Sequence, residues 1–269
     1  MSIKVCIAGT TGWTGSVVAR HLLASPDFDV VGAIARRSAG NDLGVELGLP
    51  PIGVIIRETL DEVLALGADI DVLVDYTDHV SVKPRTLTAL SRGIRVVVGT
   101  SGLTAADFAE IGRAAAEHGL GVVAAGNFSI TAALAKHFSL IAARHVPSWE
   151  IIDYAGAAKV DAPSGTTQEL AESMGEVAPS QLGISLDEMH GPREVRGATI
   201  GGTQVHSVRL PGFVIAFETI FGLPDERLTI RHDAGSGAEP YAVGTLVAVK
   251  KVMETTGLIR GLDQLLFAD

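Results

Sequence analysis

Several things are scarce in this 269-residue sequence, and each shortage excludes a class of protein. The one cysteine, Cys6, rules out a disulfide within the chain and leads us to expect a reducing, cytoplasmic location. The 21 basic residues are outnumbered by 31 acidic ones, and a net charge of −10 argues against general attraction to nucleic acid. Apolar runs are too short to span a membrane, and the chain begins as a strand rather than a signal peptide. None of the eight histidines has metal-ligand spacing.

What is abundant is apolar residues (47%) and glycine (31 residues), a composition typical of folded α/β proteins. From residue 3 to about 125, short apolar strands alternate with helical patterns, which predicts an N-terminal Rossmann-type, doubly wound parallel sheet. After residue 128 the alternation stops. A helix over 130–144 precedes segments at 202–210, 213–221 and 227–231 that read as antiparallel strands. We therefore predict an α/β chain whose C-terminal α+β domain has a mostly antiparallel sheet.

A glycine-rich turn joins the first predicted strand, 3–8, to a helix that begins near residue 16. Its spacing is GxxGxxG. Glycines permit a tight turn and a close approach of pyrophosphate, which the helix N-terminus then faces. The turn predicts a dinucleotide site formed by Gly9, Thr11, Gly12, Trp13, Thr14 and Gly15.

Two arginines, Arg36 and Arg37, follow the second predicted strand, at the place where NAD enzymes usually carry an acidic group for the ribose hydroxyls. A guanidinium suits a 2′-phosphate instead. The sequence therefore favours NADPH, with NADH possible. The alternative is a pair of solvated loop arginines.

Polar or small residues also follow three later predicted strands. Ligands of parallel sheets lie beyond the carboxyl ends of the strands, so these residues are further cofactor candidates, although each group is also compatible with an ordinary turn. They are Tyr76, Thr77, Gly99, Thr100, Ser101, Asn127 and Phe128.

The stretch 158–167 places Lys159 after a strand pattern and opens the next helix with Ser164-Gly165-Thr166. Backbone N–H groups at a helix start bind anions, and a nearby ammonium can hold or protonate what they position. The alternative is a capped turn beside a surface lysine.

The segment 159–166, Lys-Val-Asp-Ala-Pro-Ser-Gly-Thr, resembles the characteristic sequence of dihydrodipicolinate reductases, nicotinamide enzymes of the lysine pathway. The GxxGxxG turn, the strand ends and a His-Ser-x-Arg strand at 206–209 are similar to the same family, so the resemblance covers most of the chain. It implies a dinucleotide-binding domain over 1–126 and 237–269, and a substrate-binding and oligomerisation domain over 127–236. It also implies that the strand ends line the nicotinamide, and that a homotetramer forms through the second sheet.

The sequence departs from that family around the expected substrate. The family pattern Glu-x-His-His-x-x-Lys keeps only its lysine, because Ala155, Gly156 and Ala157 occupy the histidine region. A later Gly-Glu-His and a Ser-Arg are also replaced, and Trp13 stands where the family usually has arginine. We expect residues 155–157 to leave room where the histidine rings would be, and one substrate carboxylate to lose its receptor.

We therefore expect an NADPH-dependent reductase of a small carboxylate-bearing imine or conjugated C=N/C=C substrate, dihydrodipicolinate reductase-like, with neither nucleic acid nor membrane as a partner. Lys159 is the expected catalytic residue, and Asp161 orients its ammonium or caps the turn. Ser164, Gly165 and Thr166 are expected to hold a substrate carboxylate. Three alternatives stay open: an authentic dihydrodipicolinate reductase, an amine or amino-acid dehydrogenase, and a catalytically inactive NADPH-binding sensor.

Overall fold

The chain forms two compact units in the computed structural model, which describes residues 2–267. The first unit runs to Ile130 and resumes at Ala238, and the second comprises Thr131–Gly237. The predicted domain limits fall at residues 126 and 236, and the roles predicted for the two domains stay predictions.

Strands and helices alternate through the first part of the first unit. They are β1 (Ile3–Ala8), α1 (Trp13–Ala24), β2 (Phe28–Ile34), α2 (Leu43–Glu46), α3 (Leu60–Ala65), β3 (Val72–Asp75), α4 (Val82–Ser91), β4 (Arg95–Val98), α5 (Ala105–His118) and β5 (Gly121–Ala124). Local signals explain where helices begin and end. The Thr104 and Asp107 side chains form a reciprocal capping box at the start of α5, and Gly119 (φ 65°) ends that helix in the left-handed conformation.

The second unit combines two helices with a sheet, after which the chain returns to the first unit. The second unit contains α6 (Ile130–Ala143, whose first residue belongs to the first unit), β6 (Ser148–Ala155), α7 (Gly165–Val177), β7 (Ala198–Ile200), β8 (Thr203–Arg209), β9 (Ile215–Leu223) and β10 (Glu226–Ala234). The returning segment supplies α8 (Glu239–Val252), β11 (Gly257–Arg260) and α9 (Leu262–Phe267).

The first sheet has the order β11-β5-β4-β3-β1-β2, and all its pairs are parallel. Strands β3 and β5 are buried along their whole length, as apolar strands covered on both faces must be. The predicted Rossmann-type parallel sheet is confirmed. Because β1 lies between β2 and β3, the strand order reverses there, and ligands of such sheets bind at the carboxyl ends beside that reversal.

The second sheet has the order β10-β9-β6-β8-β7. Its β6–β8 pair is parallel and its other three pairs are antiparallel, so the prediction of a mostly antiparallel sheet is confirmed. Strands β8 and β9 run in opposite directions and are consecutive in the chain, but they are not hydrogen-bonded to each other, because β6 lies between them. The eight-residue β6 pairs on both edges and so satisfies its backbone groups in the centre of the sheet.

Strand β6 alternates between a buried and a half-buried face. Trp149 and Ile151 on its buried face pack with apolar residues of α6 and α7, including Ala135 and Leu170. The same face carries Asp153, a carboxylate with 0% exposure. Among residues 2–267 there is no helix with the length and apolarity needed to cross a membrane.

Candidate functional site

The glycine turn after β1 is packed so closely that two of its positions accept only glycine. A Cβ on Gly9 (φ +87°) would lie 2.2 Å from the Tyr76 carbonyl oxygen, and a Cβ on Gly15 would lie 2.0 Å from the Gly9 carbonyl oxygen. Gly12 is less constrained, with 3.2 Å to the same Gly9 oxygen. The turn, the start of α1 and the end of β3 are thus held against one another, as a dinucleotide turn requires.

The N-terminus of α1 begins directly after this turn. No side chain caps it at Gly12, and no acidic residue lies in its first turn. The positive end of the helix is therefore left for an external anion. Trp13, at the first helical position, is 62% exposed, and its ring edge contacts the Tyr241 ring at a centroid distance of 5.8 Å. Thr11 is exposed and Thr14 half-buried beside it.

Asp75 is a buried carboxylate that bonds to residues at the ends of two strands, where the sequence predicted cofactor contacts. Its Oδ1 accepts hydrogen bonds from Thr77 Oγ1 (2.6 Å) and Thr100 Oγ1 (3.0 Å), and its Oδ2 accepts one from Arg85 (2.5 Å). Asp75 is 0% exposed. Sequence reasoning missed Asp75 and Arg85, because a carboxylate at the end of a strand and an arginine on a helix carry no distinctive pattern.

The Phe128 side chain lies in the core of the first unit, and the half-buried Tyr76 ring packs against it. The Tyr76 hydroxyl is 2.6 Å from Thr245 Oγ1, and burial raises the pKa of Tyr76. Its ring occupies the space beside Gly99, where a Cβ would lie 2.1 Å away, and meets the edge of the 1% exposed Phe128 ring. Because its side chain is buried, Phe128 has only its backbone available for a contact with a cofactor.

The remaining predicted cofactor residues lie at the surface of the first unit. Arg36 is ion-paired with Asp78 at 3.2 Å although its side chain is 78% exposed, and Arg37 is exposed beside it. Burial by itself would raise the pKa of Asp78, but hydrogen bonds from Ser81 and Val80 and the charge of Arg36 together lower it. Ser101 is exposed, and Asn127 Oδ1 accepts a hydrogen bond from the Ser129 N–H.

In the second unit, Lys159 lies in the loop between β6 and α7. Its ammonium is 2.8 Å from Asp161 Oδ1, and its side chain is 31% exposed. The hydrogen bond from Lys159 lowers the pKa of the Asp161 carboxyl. The Asp161 carboxylate is thus paired with Lys159, and its role in orienting the ammonium stays a prediction.

Ser164 is placed differently from the expectation that it holds a substrate carboxylate. Its N–H and its hydroxyl both donate to Asp153, at 3.0 and 2.5 Å, and the residue is 2% exposed. Both donors of Ser164 are used in this structure, and Gly165 and Thr166 form the first residues of α7. Carboxylate binding by Ser164, Gly165 and Thr166 stays a prediction. Ser164 attaches this turn to the sheet.

The expected free space at 155–157 is found only in part. Ala155 is 0% exposed on the helix-covered face of β6. At Gly156 a Cβ would lie 3.2 Å from the Phe213 carbonyl oxygen, and its N–H donates to Val214. Only Ala157 is exposed. The expectation is therefore wrong at 155 and 156, because the chain around 213–214 and the core fill that volume.

The arrangement of the first unit is that of a Rossmann-type, dinucleotide-dependent oxidoreductase: a parallel sheet, a glycine turn at its reversal and a helix start without a side-chain cap. These features fit NAD(P)H, because the turn has no room for side chains where pyrophosphate approaches. Within residues 2–267 no group of histidine, cysteine and carboxylate residues could hold a metal ion.

Comparison with known proteins identifies the family. Models described as the N-terminus and the C-terminus of dihydrodipicolinate reductase match residues 3–128 and 127–266. The chain belongs to the dihydrodipicolinate reductase family and is an NAD(P)H-dependent oxidoreductase.

Individual relatives are similar to this protein over nearly the whole chain. A 4-hydroxy-tetrahydrodipicolinate reductase of Moorella thermoacetica is 41% identical and one of Desulfitobacterium hafniense 37% identical, each over 98% of both chains. A dipicolinate-bound dihydrodipicolinate reductase from Paenisporosarcina sp. TG-14 has a TM-score of 0.86 and 30% identity, covering 98% of this chain and 99% of that one. An amine dehydrogenase from Mycobacterium smegmatis shares the fold alone, with a TM-score of 0.69 and 16% identity over 98% and 96% of the two chains.

Proposed function

We propose that this protein uses NADPH to reduce a small cyclic imine that carries a carboxylate beside its C=N bond. The observation that carries the proposal is the loop 159–166, which presents the Lys159 ammonium together with the exposed start of α7. This pairing of a proton donor with an anion site matches a substrate whose nitrogen must be protonated while its carboxylate is held.

Each group has a distinct role in this proposal. Bound NADPH supplies the hydride to the imine carbon. The Lys159 ammonium donates the proton to the imine nitrogen, and Asp161 holds that ammonium in place. The N–H groups of Gly165 and Thr166 bind the carboxylate. The cofactor is held by the glycine turn, the two exposed arginines and the strand ends: Gly9, Thr11, Gly12, Trp13, Thr14, Gly15, Arg36, Arg37, Tyr76, Thr77, Gly99, Thr100, Ser101, Asn127 and Phe128.

Substrate choice separates two versions of this proposal. The relatives' names favour 4-hydroxy-tetrahydrodipicolinate, a dicarboxylate. Residues 155–158, Ala-Gly-Ala-Ala, favour an imine with one carboxylate, because they carry no side-chain donor for a second. We expect Δ1-piperideine-2-carboxylate to give the higher kcat/KM when both are tested by the loss of NADPH absorbance. A rate with the dicarboxylate above that of every other imine would instead identify an authentic dihydrodipicolinate reductase.

Cofactor preference is expected to depend on Arg36. NADPH should bind at least about tenfold more tightly than NADH, or about 1.4 kcal/mol, because Arg36 and Arg37 follow β2 at the place where NAD enzymes usually carry an acidic group, and a guanidinium suits a 2′-phosphate. Arg36→Ala should remove most of that margin in a fluorescence titration, whereas Arg92→Ala, an exposed arginine at the end of α4, should keep it. Equal wild-type affinities for the two cofactors would refute this assignment.

Two other functions remain testable with the same reagents. An amine or amino-acid dehydrogenase would run the chemistry backwards, so it would reduce NADP⁺ with an amino acid faster than it reduces any imine. An NADPH-binding sensor would bind the cofactor tightly and turn over no member of a panel of cyclic imines and of keto acids with ammonia. Retention of the ion-paired Lys159 favours the enzyme over the sensor.

We also propose a cytoplasmic homotetramer joined through the second sheet. The support is the family resemblance together with apolar residues that remain exposed on this unit, among them Val214 and Leu228. The buried, unpaired Cys6 suits a reducing compartment. Light scattering at micromolar concentration should give four times the chain mass of 27.9 kDa. A monomer would rule this assembly out.

A further inference from the structure

We propose that the buried pair Asp153–Arg209 is a positioning device that fixes where Lys159 presents its ammonium. The inference deepens the proposed function and rests on it for the role of Lys159. Neither residue is offered as a contact of substrate or cofactor. Both act through the backbone and side chain of Asp161.

Asp153 is the centre of a hydrogen-bond network that joins β6 to the start of α7. Its Oδ1 accepts from the hydroxyls of Ser164 (2.5 Å) and Thr167 (2.9 Å), and its Oδ2 accepts from the Ser164 N–H (3.0 Å) and Ser207 Oγ (3.3 Å). Burial by itself would raise the pKa of Asp153, but these donors and Arg209 outweigh it and hold the pKa below its usual range. The carboxylate is therefore charged and satisfied while being 0% exposed.

Arg209 extends this network to the loop between β6 and α7 that carries Lys159. One nitrogen, Nη2, lies 2.6 Å from Asp153 Oδ2 and 2.7 Å from the Asp161 carbonyl oxygen. Its other terminal nitrogen donates to the Val208 carbonyl oxygen at 3.0 Å, so the planar guanidinium is fixed from two sides. The Asp161 carboxylate then meets Lys159 at 2.8 Å. A sequence of three polar contacts thus leads from the core to the ammonium.

The loop has little else to hold it. Val160 is 99% exposed, and the loop backbone is secured at its ends by Lys159 N–H to Gly156 and by Ser164 N–H to Asp153. Within the described part of the chain, the bond from Arg209 is the one that ties residues 160–163 to the sheet. Without it, Asp161 would keep its carboxylate but lose the fixed backbone that aims it at Lys159.

The experiment compares three variants with one control. Arg209→Gln removes both the positive charge and the guanidinium, whereas Arg209→Lys keeps the charge and loses only the guanidinium. Asp153→Asn removes the buried negative charge. The matched control is Arg196→Gln, since Arg196 forms an ion pair with Glu150 on the same strand β6 but has no contact with the loop. Two readouts are taken at a temperature well below unfolding. They are hydrogen exchange of segment 157–164 in the free protein, and steady-state kinetics with NADPH and Δ1-piperideine-2-carboxylate or 4-hydroxy-tetrahydrodipicolinate.

We expect Arg209→Gln to speed exchange of 157–164 by about tenfold or more while the β9–β10 hairpin exchanges as in wild type, because the bond to the Asp161 carbonyl oxygen is lost together with the charged partner of Asp153. Its kcat should fall by about tenfold or more, with the KM for NADPH changed less than about twofold, and Arg209→Lys should recover part of the loss. Asp153→Asn should resemble Arg209→Gln, and Arg196→Gln should resemble wild type in both readouts.

A purely structural role would lower the unfolding temperature and leave kcat unchanged. A kcat for Arg209→Gln within about twofold of wild type would therefore overturn the proposal. If wild type reduces no imine, the proposed function fails, and the exchange measurement alone decides whether Arg209 holds the loop. Unchanged exchange of 157–164 in Arg209→Gln would overturn the inference in that case too.

Discussion

Lys159→Ala is expected to lower kcat for imine reduction by about a thousandfold, because a positioned general acid contributes roughly 10²–10⁴-fold. The dissociation constant for NADPH should change less than about twofold, since Lys159 belongs to the second unit and the glycine turn to the first. Stopped-flow turnover and a fluorescence titration measure the two quantities on the same preparation.

A second substitution separates proton donation from simple charge. Lys159→Arg keeps the positive charge beside Asp161, but a guanidinium does not release a proton near neutral pH. It should therefore remain within about tenfold of the alanine variant if Lys159 is the acid. Recovery of most of the activity by arginine would assign an electrostatic role instead. Full activity of Lys159→Ala would remove Lys159 from the mechanism altogether.

Gly15→Ala is expected to weaken NADPH binding by about a hundredfold or more. The added Cβ would lie 2.0 Å from the Gly9 carbonyl oxygen, so the turn must move away from the start of α1, where the pyrophosphate is proposed to bind. The free energy of unfolding should also fall, by about 1–3 kcal/mol, the usual cost of overpacking. Calorimetric titration with NADPH and thermal unfolding test both effects.

Gly12→Ala is the matched control for this prediction. The same methyl group on the same turn would lie 3.2 Å from the same Gly9 oxygen, a distance that a shift of a few tenths of an ångström relieves. We expect NADPH affinity within about tenfold of wild type. If Gly15→Ala binds NADPH as tightly as Gly12→Ala, close packing of the turn is not what creates the cofactor site.

The parts of the site that local patterns specify could be read from the sequence. Strand, glycine turn and helix are consecutive in the chain, so the spacing of Gly9, Gly12 and Gly15 was enough to place the turn at the end of β1. The segment at Lys159 is equally local, because a strand, a polar loop and a helix start follow one another without interruption.

What could not be read from the sequence depends on contacts between distant segments. The position of β6 between β8 and β9 is set by pairing over more than fifty residues, and strand patterns do not encode partners. In the sequence, Asp153 and Asp75 have no feature that distinguishes them from other strand residues. Their importance is visible only in the fold, where they form ion pairs with Arg209 and Arg85. Strand β11 escaped notice because it is four residues long and only partly buried at the edge of its sheet.

Transfer of deuterium is the measurement that tests the proposed chemistry most directly. NADPH labelled with deuterium at the reactive position of the nicotinamide is mixed with the enzyme and each imine, and the product is examined by mass spectrometry. With Δ1-piperideine-2-carboxylate, the proposal predicts one deuterium in the product, on the carbon that was double-bonded to nitrogen, and loss of that product in Lys159→Ala. Tight NADPH binding with no deuterium in any product across the imine panel would contradict it.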